Sequence, residues 1–107
     1  MTASGDGSLG AVLQSAAREL EAADERRAGE ALEWSIGGVT FAAFSGDRAE
    51  FRLDPAVAAA ALRTPDTIPS SRGADWVAFA PEVLDQHAVD RAEAWLTSAW
   101  RRADGES

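Results

Sequence analysis

Cysteine and lysine are absent from this chain of 107 residues, and histidine and methionine occur once each. Without thiols there is no disulfide scaffold, no cysteine-based zinc site and no thiol chemistry. One His and no Cys leave only carboxylate coordination for a metal, and no EF-hand-like run of acids around a central Gly is present, so no metal and no cofactor is expected. Long apolar runs are missing too. Nothing approaches the ~20 residues needed to span a bilayer, and the start, Met1-Thr2-Ala3-Ser4-Gly5-Asp6-Gly7, has neither the basic residues nor the apolar run of a leader. A soluble cytoplasmic protein with no membrane partner is the expectation.

Positive charge is also scarce. Ten Arg face 18 Asp and Glu, for a net charge of −8, which opposes approach to phosphate backbones and argues against nucleic acid as a partner. Residues 1–44 carry −4, residues 45–80 carry −1 and residues 81–107 carry −3, so the middle of the chain is nearly neutral. The exclusive use of Arg, beside abundant Ala, reads as codon usage in a GC-rich bacterial genome rather than selection for bidentate recognition.

What is present describes one α+β domain of a size that buries roughly 65% of its unfolded surface. Residues 1–7 read as a polar, disordered tail, residues 8–103 as the domain and residues 104–107 as a second tail. Ser8 is a good N-cap, and Leu9, Val12, Leu13, Ala16, Leu20 and Ala23 recur at helical spacing, which predicts a first helix over 8–28 ending near Gly29. Alternation follows. Leu32, Trp34 and Ile36 share one side of a strand, Gly37-Gly38 signals a hairpin, and Val39, Phe41 and Ala43 alternate with Thr40, Ala42 and Phe44 along the returning strand. Ser45-Gly46-Asp47-Arg48 is a second turn, before a third strand with Phe51 inward and Glu50 and Arg52 on the opposite face. Asp54-Pro55 starts a second, Ala-rich helix from Pro55 to Leu62 or Arg63. Residues 64–73 read as the longest irregular stretch, Trp76 to Phe79 as a fourth strand, and Asp85 as the cap of a closing helix carrying Trp95 and Trp100. The predicted order is α-β-β-β-α-β-α, with an antiparallel sheet of about four strands packed against helices.

Gly37-Gly38-Val39-Thr40-Phe41-Ala42, Phe51-Arg52-Leu53-Asp54-Pro55, Pro69-Ser70-Ser71-Arg72-Gly73, Trp76-Val77 and the helix ending Ala99-Trp100-Arg101 together resemble the MmcQ/YjbR-like proteins over about residues 31–103. The resemblance implies a small α+β domain with an antiparallel sheet backed by helices, in a family often labelled as putative DNA-binding and without a defined reaction. This chain departs from that label. Val39 follows the hairpin glycines and Ala74-Asp75 precede Trp76, where many relatives would have Lys.

No catalytic motif is legible. His87, the one imidazole and so the one candidate histidine base, falls in the first turn of the closing helix. Ser45, Ser70, Ser71 and Ser98 lie in no nucleophile motif, and a Ser71, His87, Asp90 triad has no support in spacing. The candidate ligand-binding residues are Arg52, Arg63, Ser70, Ser71, Arg72, Trp76 and His87. Guanidinium and hydroxyl donors from the near-neutral middle of the chain, beside an aromatic ring, suit a small anionic ligand. The plainer alternative pairs these Arg side chains with Glu50, Asp54, Asp66 or Asp75. Trp34, Trp95 and Trp100 fall in phase with apolar periodicity and read as core or interface anchors. A noncatalytic binding or protein-interaction module is favoured, with a homodimer among its forms. A nucleic-acid-binding protein and an unrecognised small-molecule enzyme are the alternatives.

Overall fold

The computed structural model describes residues 8–106; the expected tail over 1–7 lies outside them. The elements run α1 (Leu9–Ala17), β1 (Asp24–Ala28), β2 (Ala31–Ile36), β3 (Val39–Ser45), β4 (Arg48–Arg52), α2 (Pro55–Ala61), β5 (Thr67–Pro69), β6 (Trp76–Phe79) and α3 (Gln86–Glu106). The α+β class and antiparallel sheet are as expected. The sheet has six strands rather than about four, in the order β1-β2-β3-β4-β6-β5.

Both additional strands sit at the edges, where hydrophobic alternation is weakest. The predicted first helix stops at Ala17, and residues 24–28 form β1 instead. Leu20 and Ala23, in phase with a helix, reach the core from the connecting turn, in which Ala22 has φ 63°. Every residue of β1 is exposed, so no apolar pattern marks it; main-chain pairing with β2 makes it a strand. The predicted irregular stretch 64–73 contains β5, three residues paired with β6. Thr67 Oγ1 donates to the Ala61 and Thr64 carbonyls at 2.9 and 2.8 Å and ties β5 to the end of α2. At the C-terminus α3 continues to Glu106, past the expected domain end at 103.

Both edges are protected against pairing with another chain. The β1 edge carries Asp24, Glu25, Arg26 and Arg27, while β5 is short and ends in Pro69, which has no N–H to offer.

Between these edges the meander follows from local chemistry. Gly37 and Gly38 adopt φ 56° and 82°, the paired positive values that a tight two-residue hairpin needs. A bulge lies where β2 passes Trp34 and Ser35, and Phe41 and Ala42 of β3 both enter the core there. Pro55 opens α2, and the Asp85 carboxylate caps α3 by accepting from Ala88 N at 2.9 Å.

All three helices pack on one face of the sheet. There Trp34, Phe41, Phe51, Val77 and Phe79 meet Leu13 of α1 and Leu96 of α3, all essentially without solvent contact. Trp95 sits edge-on to Phe79 with ring centroids 5.1 Å apart. At Gly10 α1 lies close against the sheet: a Cβ there would lie 2.8 Å from the Phe44 ring. Trp34 is a core anchor as expected, and Trp95 and Trp100 pack at its margin.

Candidate functional site on the open face of the sheet

The register places a different set of side chains on the opposite face. Arg26, Glu33, Ala43, Glu50, Ala78 and Ile68 form one row across all six strands. Side chains alternate along a strand, so this row points away from Trp34, Phe51 and Val77. No helix covers it. The loop 70–75 folds over its centre.

Arg72 holds that loop down. Its Nε donates to Glu50 Oε1 at 2.9 Å and its Nη2 to Glu33 Oε2 at 3.1 Å. Ser70 Oγ donates to the other Glu50 oxygen and accepts from Arg72 N at 3.1 Å. Arg26 reaches the remaining Glu33 oxygen at 3.0 Å. The result is an alternating chain, Arg26–Glu33–Arg72–Glu50, with no net charge. The guanidinium of Arg72 also lies 5.4 Å from the centre of the Trp76 ring, within cation–π range.

This network perturbs its members. The hydrogen bond from Arg26 and the contacts with Arg72 hold the Glu33 carboxyl below its usual pKa, against the opposing effect of burial. Burial works against the charge of Arg72, but its bonds to Glu50 and Glu33 outweigh that and raise its pKa.

A second cluster fixes the foot of the loop. Arg102, on α3, donates to the Leu53 carbonyl and to Asp75 Oδ2 at 3.3 Å. Asp75 itself has φ 70°, a left-handed conformation unusual for a non-glycine residue. Its carbonyl accepts from Leu53 N at 2.9 Å, so the unusual backbone is anchored from two directions. Arg52 pairs with Glu106; their bond raises the Arg52 pKa and lowers that of Glu106.

Of the seven residues singled out in the sequence, Arg52, Ser70, Arg72 and Trp76 are brought together. Arg52 and Trp76 are direct cross-strand partners, and Ser70 N donates to the Trp76 carbonyl at 2.9 Å. Arg63 and Ser71 are exposed and take no part in the network. His87 is exposed in the first turn of α3 and hydrogen-bonded to neither Ser71 nor Asp90; Asp90 instead accepts from Gln86 at 2.8 Å. The pairing alternative thus describes Arg72 with Glu50, whereas Arg52 chose Glu106. Glu33 was not foreseen as a member. Its signal was its place between Leu32 and Trp34, an acid at the outward position of a strand whose other face is apolar.

As an arrangement, the face offers a clamped guanidinium over an aromatic ring, with the small Ala43 and Ala78 buried beneath the polar side chains. Among the described residues no group of three His, Asp or Glu side chains could hold a metal ion, and no helix is long and apolar enough to cross a membrane. No family model, curated protein or solved structure matches the chain.

Proposed function

We propose that the chain is an MmcQ/YjbR-like binding module that engages a small ligand or a protein partner through the open face of its sheet and catalyses no reaction. The observation that carries this reading is the asymmetry of the sheet: three helices bury one face, while the other displays Trp76 and an ordered set of polar side chains. The family part of this reading rests on the sequence motifs alone; in the fold the hairpin glycines form the β2–β3 turn and Phe51 to Pro55 joins β4 to α2. A cytoplasmic location belongs to the same proposal, supported by the lack of cysteine in so small a domain.

Phosphate backbones fit this face poorly. The chain carries −8 overall, and Arg52 and Arg72 are already paired with carboxylates.

The test is amide chemical-shift mapping of the isotope-labelled protein against organic acids, amino acids, nucleotides, inorganic phosphate and a short single-stranded oligonucleotide, with a thermal-shift measurement in parallel. A binder at 100 times its dissociation constant adds about 2.7 kcal/mol to stability. Shifts centred on Ala43, Glu50, Ala78 and Ile68 are expected from at least one small molecule. Shifts confined to the helical layer, or oligonucleotide binding that disappears with salt, would replace the reading.

A further inference from the structure

The part of the open face beyond the Arg72 network has its own shape. β6 contributes Ala78, followed by Ala80 just past the strand end, while its neighbours contribute Arg48 at the start of β4 and Asp66 and Ile68 at β5. Short side chains between longer ones leave a groove of about 380 Å³, lined by these five residues and Thr67. That is within the range of small-molecule sites. Ile68, 52% exposed, forms an apolar wall that no other part of the described chain covers.

Arg48 and Asp66 stand on opposite walls. Continuing the β4–β6 register brings Arg48 level with Ala80, and Ala80 N donates to the Asp66 carbonyl at 3.0 Å, so the three share one row. The two charged residues are therefore separated by two strand spacings, roughly 10 Å between backbones. Both are exposed, and neither makes an ion pair or side-chain hydrogen bond among the described residues. Every other Arg on this face, namely Arg26, Arg52 and Arg72, is paired. The wall that carries Asp66 is fixed in advance by the bonds from Thr67 to Ala61 and Thr64, which lowers the ordering cost of binding.

We propose that this groove binds a small zwitterion with an apolar body, a free aliphatic amino acid being the simplest example. Its carboxylate meets the Arg48 guanidinium, whose fork suits two parallel hydrogen bonds. Its ammonium meets Asp66, and its side chain lies over Ala80 against Ile68, with Ala78 buried beneath. A simple anion would use Arg48 and leave Asp66 opposing it; a simple cation would do the reverse. Only a ligand with both charges matches both walls. The inference rests on the reading of the open face as the binding surface and names what that face takes.

The experiment is a chemical-shift titration of the full chain with L-leucine, N-acetyl-L-leucine and L-leucinamide, repeated on Arg48→Gln and Asp66→Asn. Both positions are exposed, so thermal melts should show the variants folded. L-leucine at millimolar concentration should shift the amides of Ile68, Ala78 and Ala80, and blocking either charge should weaken binding by about fivefold, the upper end for an exposed ion pair. In Arg48→Gln, L-leucine and L-leucinamide should bind alike; in Asp66→Asn, L-leucine and N-acetyl-L-leucine should. Equal binding of all three compounds to the unaltered protein overturns the proposal, as does the absence of any shift from L-leucine. If other small molecules still shift the open face, only this inference fails. If no compound does, the reading of the face as a binding surface fails with it.

Discussion

The two faces of this sheet are built from the same strands yet solve different problems. On the helical face, Trp34, Phe51 and Phe79 exclude water by contact with α1 and α3, and their stabilisation comes from area removed from solvent. On the open face, Glu33, Glu50, Ser70 and Arg72 exclude water by completing one another's hydrogen bonds. The first arrangement tolerates few changes of volume. The second depends on partners, and a network of hydrogen-bonded charges contributes little net stability while strongly disfavouring the loss of one member. One face therefore holds the fold together by burial, and the other adds an ordered set of polar contacts to it.

The sharpest test of that division is truncation on each side at adjacent positions. Phe51→Ala removes a fully buried ring packed 6.1 Å from Trp95 and should cost about 3–5 kcal/mol. Denaturant melts would show this as a lower midpoint with an unchanged slope. Glu50→Ala, one residue away but facing outward, should cost about 1–3 kcal/mol, because it leaves Arg72 with Glu33 alone and Ser70 without its acceptor. Trp76 fluorescence should change as the loop loosens. Equal losses for the two variants would mean that the open face is a second core.

Acid should distinguish the faces as well. Glu33 has a lowered pKa in the folded protein, so its contribution is fully present above the unfolded carboxylate value of about 4.3 and is lost as the pH falls through the lower folded value. Melting temperatures measured between neutral pH and about pH 3 should fall less steeply for Glu33→Gln than for the unaltered protein. Parallel curves would show that the Arg26–Glu33–Arg72 chain contributes nothing to stability. The large side chains buried on the helical face, Trp34, Phe51 and Phe79 among them, carry no ionisable group.

The sequence was most readable where burial was one-sided. Trp34, Phe51 and the Trp76 strand announced themselves by alternation, and Gly37-Gly38 by turn chemistry, because each choice there is dictated by local sterics or by contact with one core. β1 was unreadable for the opposite reason: all its side chains are exposed, and its strand character resides in main-chain bonds to β2. β5 was obscured by Pro65 and Pro69, which signal irregularity although three residues between and including the second still pair with β6. In the site, Ser70, Arg72 and Trp76 were legible because a polar loop beside an aromatic is itself a signal. Glu33 was not, since its partner Arg72 lies 39 residues away and only the register brings them together. Arg48 and Asp66 share that difficulty: each looks like an ordinary turn residue until β4, β5 and β6 stand side by side.

The smallest expected effect concerns the outer end of the network. Arg26 lies on the edge strand with its side chain 68% exposed, although its bond to Glu33, at 3.0 Å, is as short as the one from Arg72. Distance alone would rank the two contacts together; solvent separates them. Water competes for Arg26 and takes over its role when it is removed, while Glu33 keeps Arg72, so Arg26→Ala should cost about 0–1 kcal/mol. Added salt should shrink even that difference, because an exposed pair is screened. Thermal melts of Arg26→Ala and Arg72→Ala at low and high ionic strength would make the comparison. A loss for Arg26→Ala as large as that for Arg72→Ala, and insensitive to salt, would show that β1 needs its charged edge to remain attached to the sheet, and would move the boundary of the stabilising network out to the first strand.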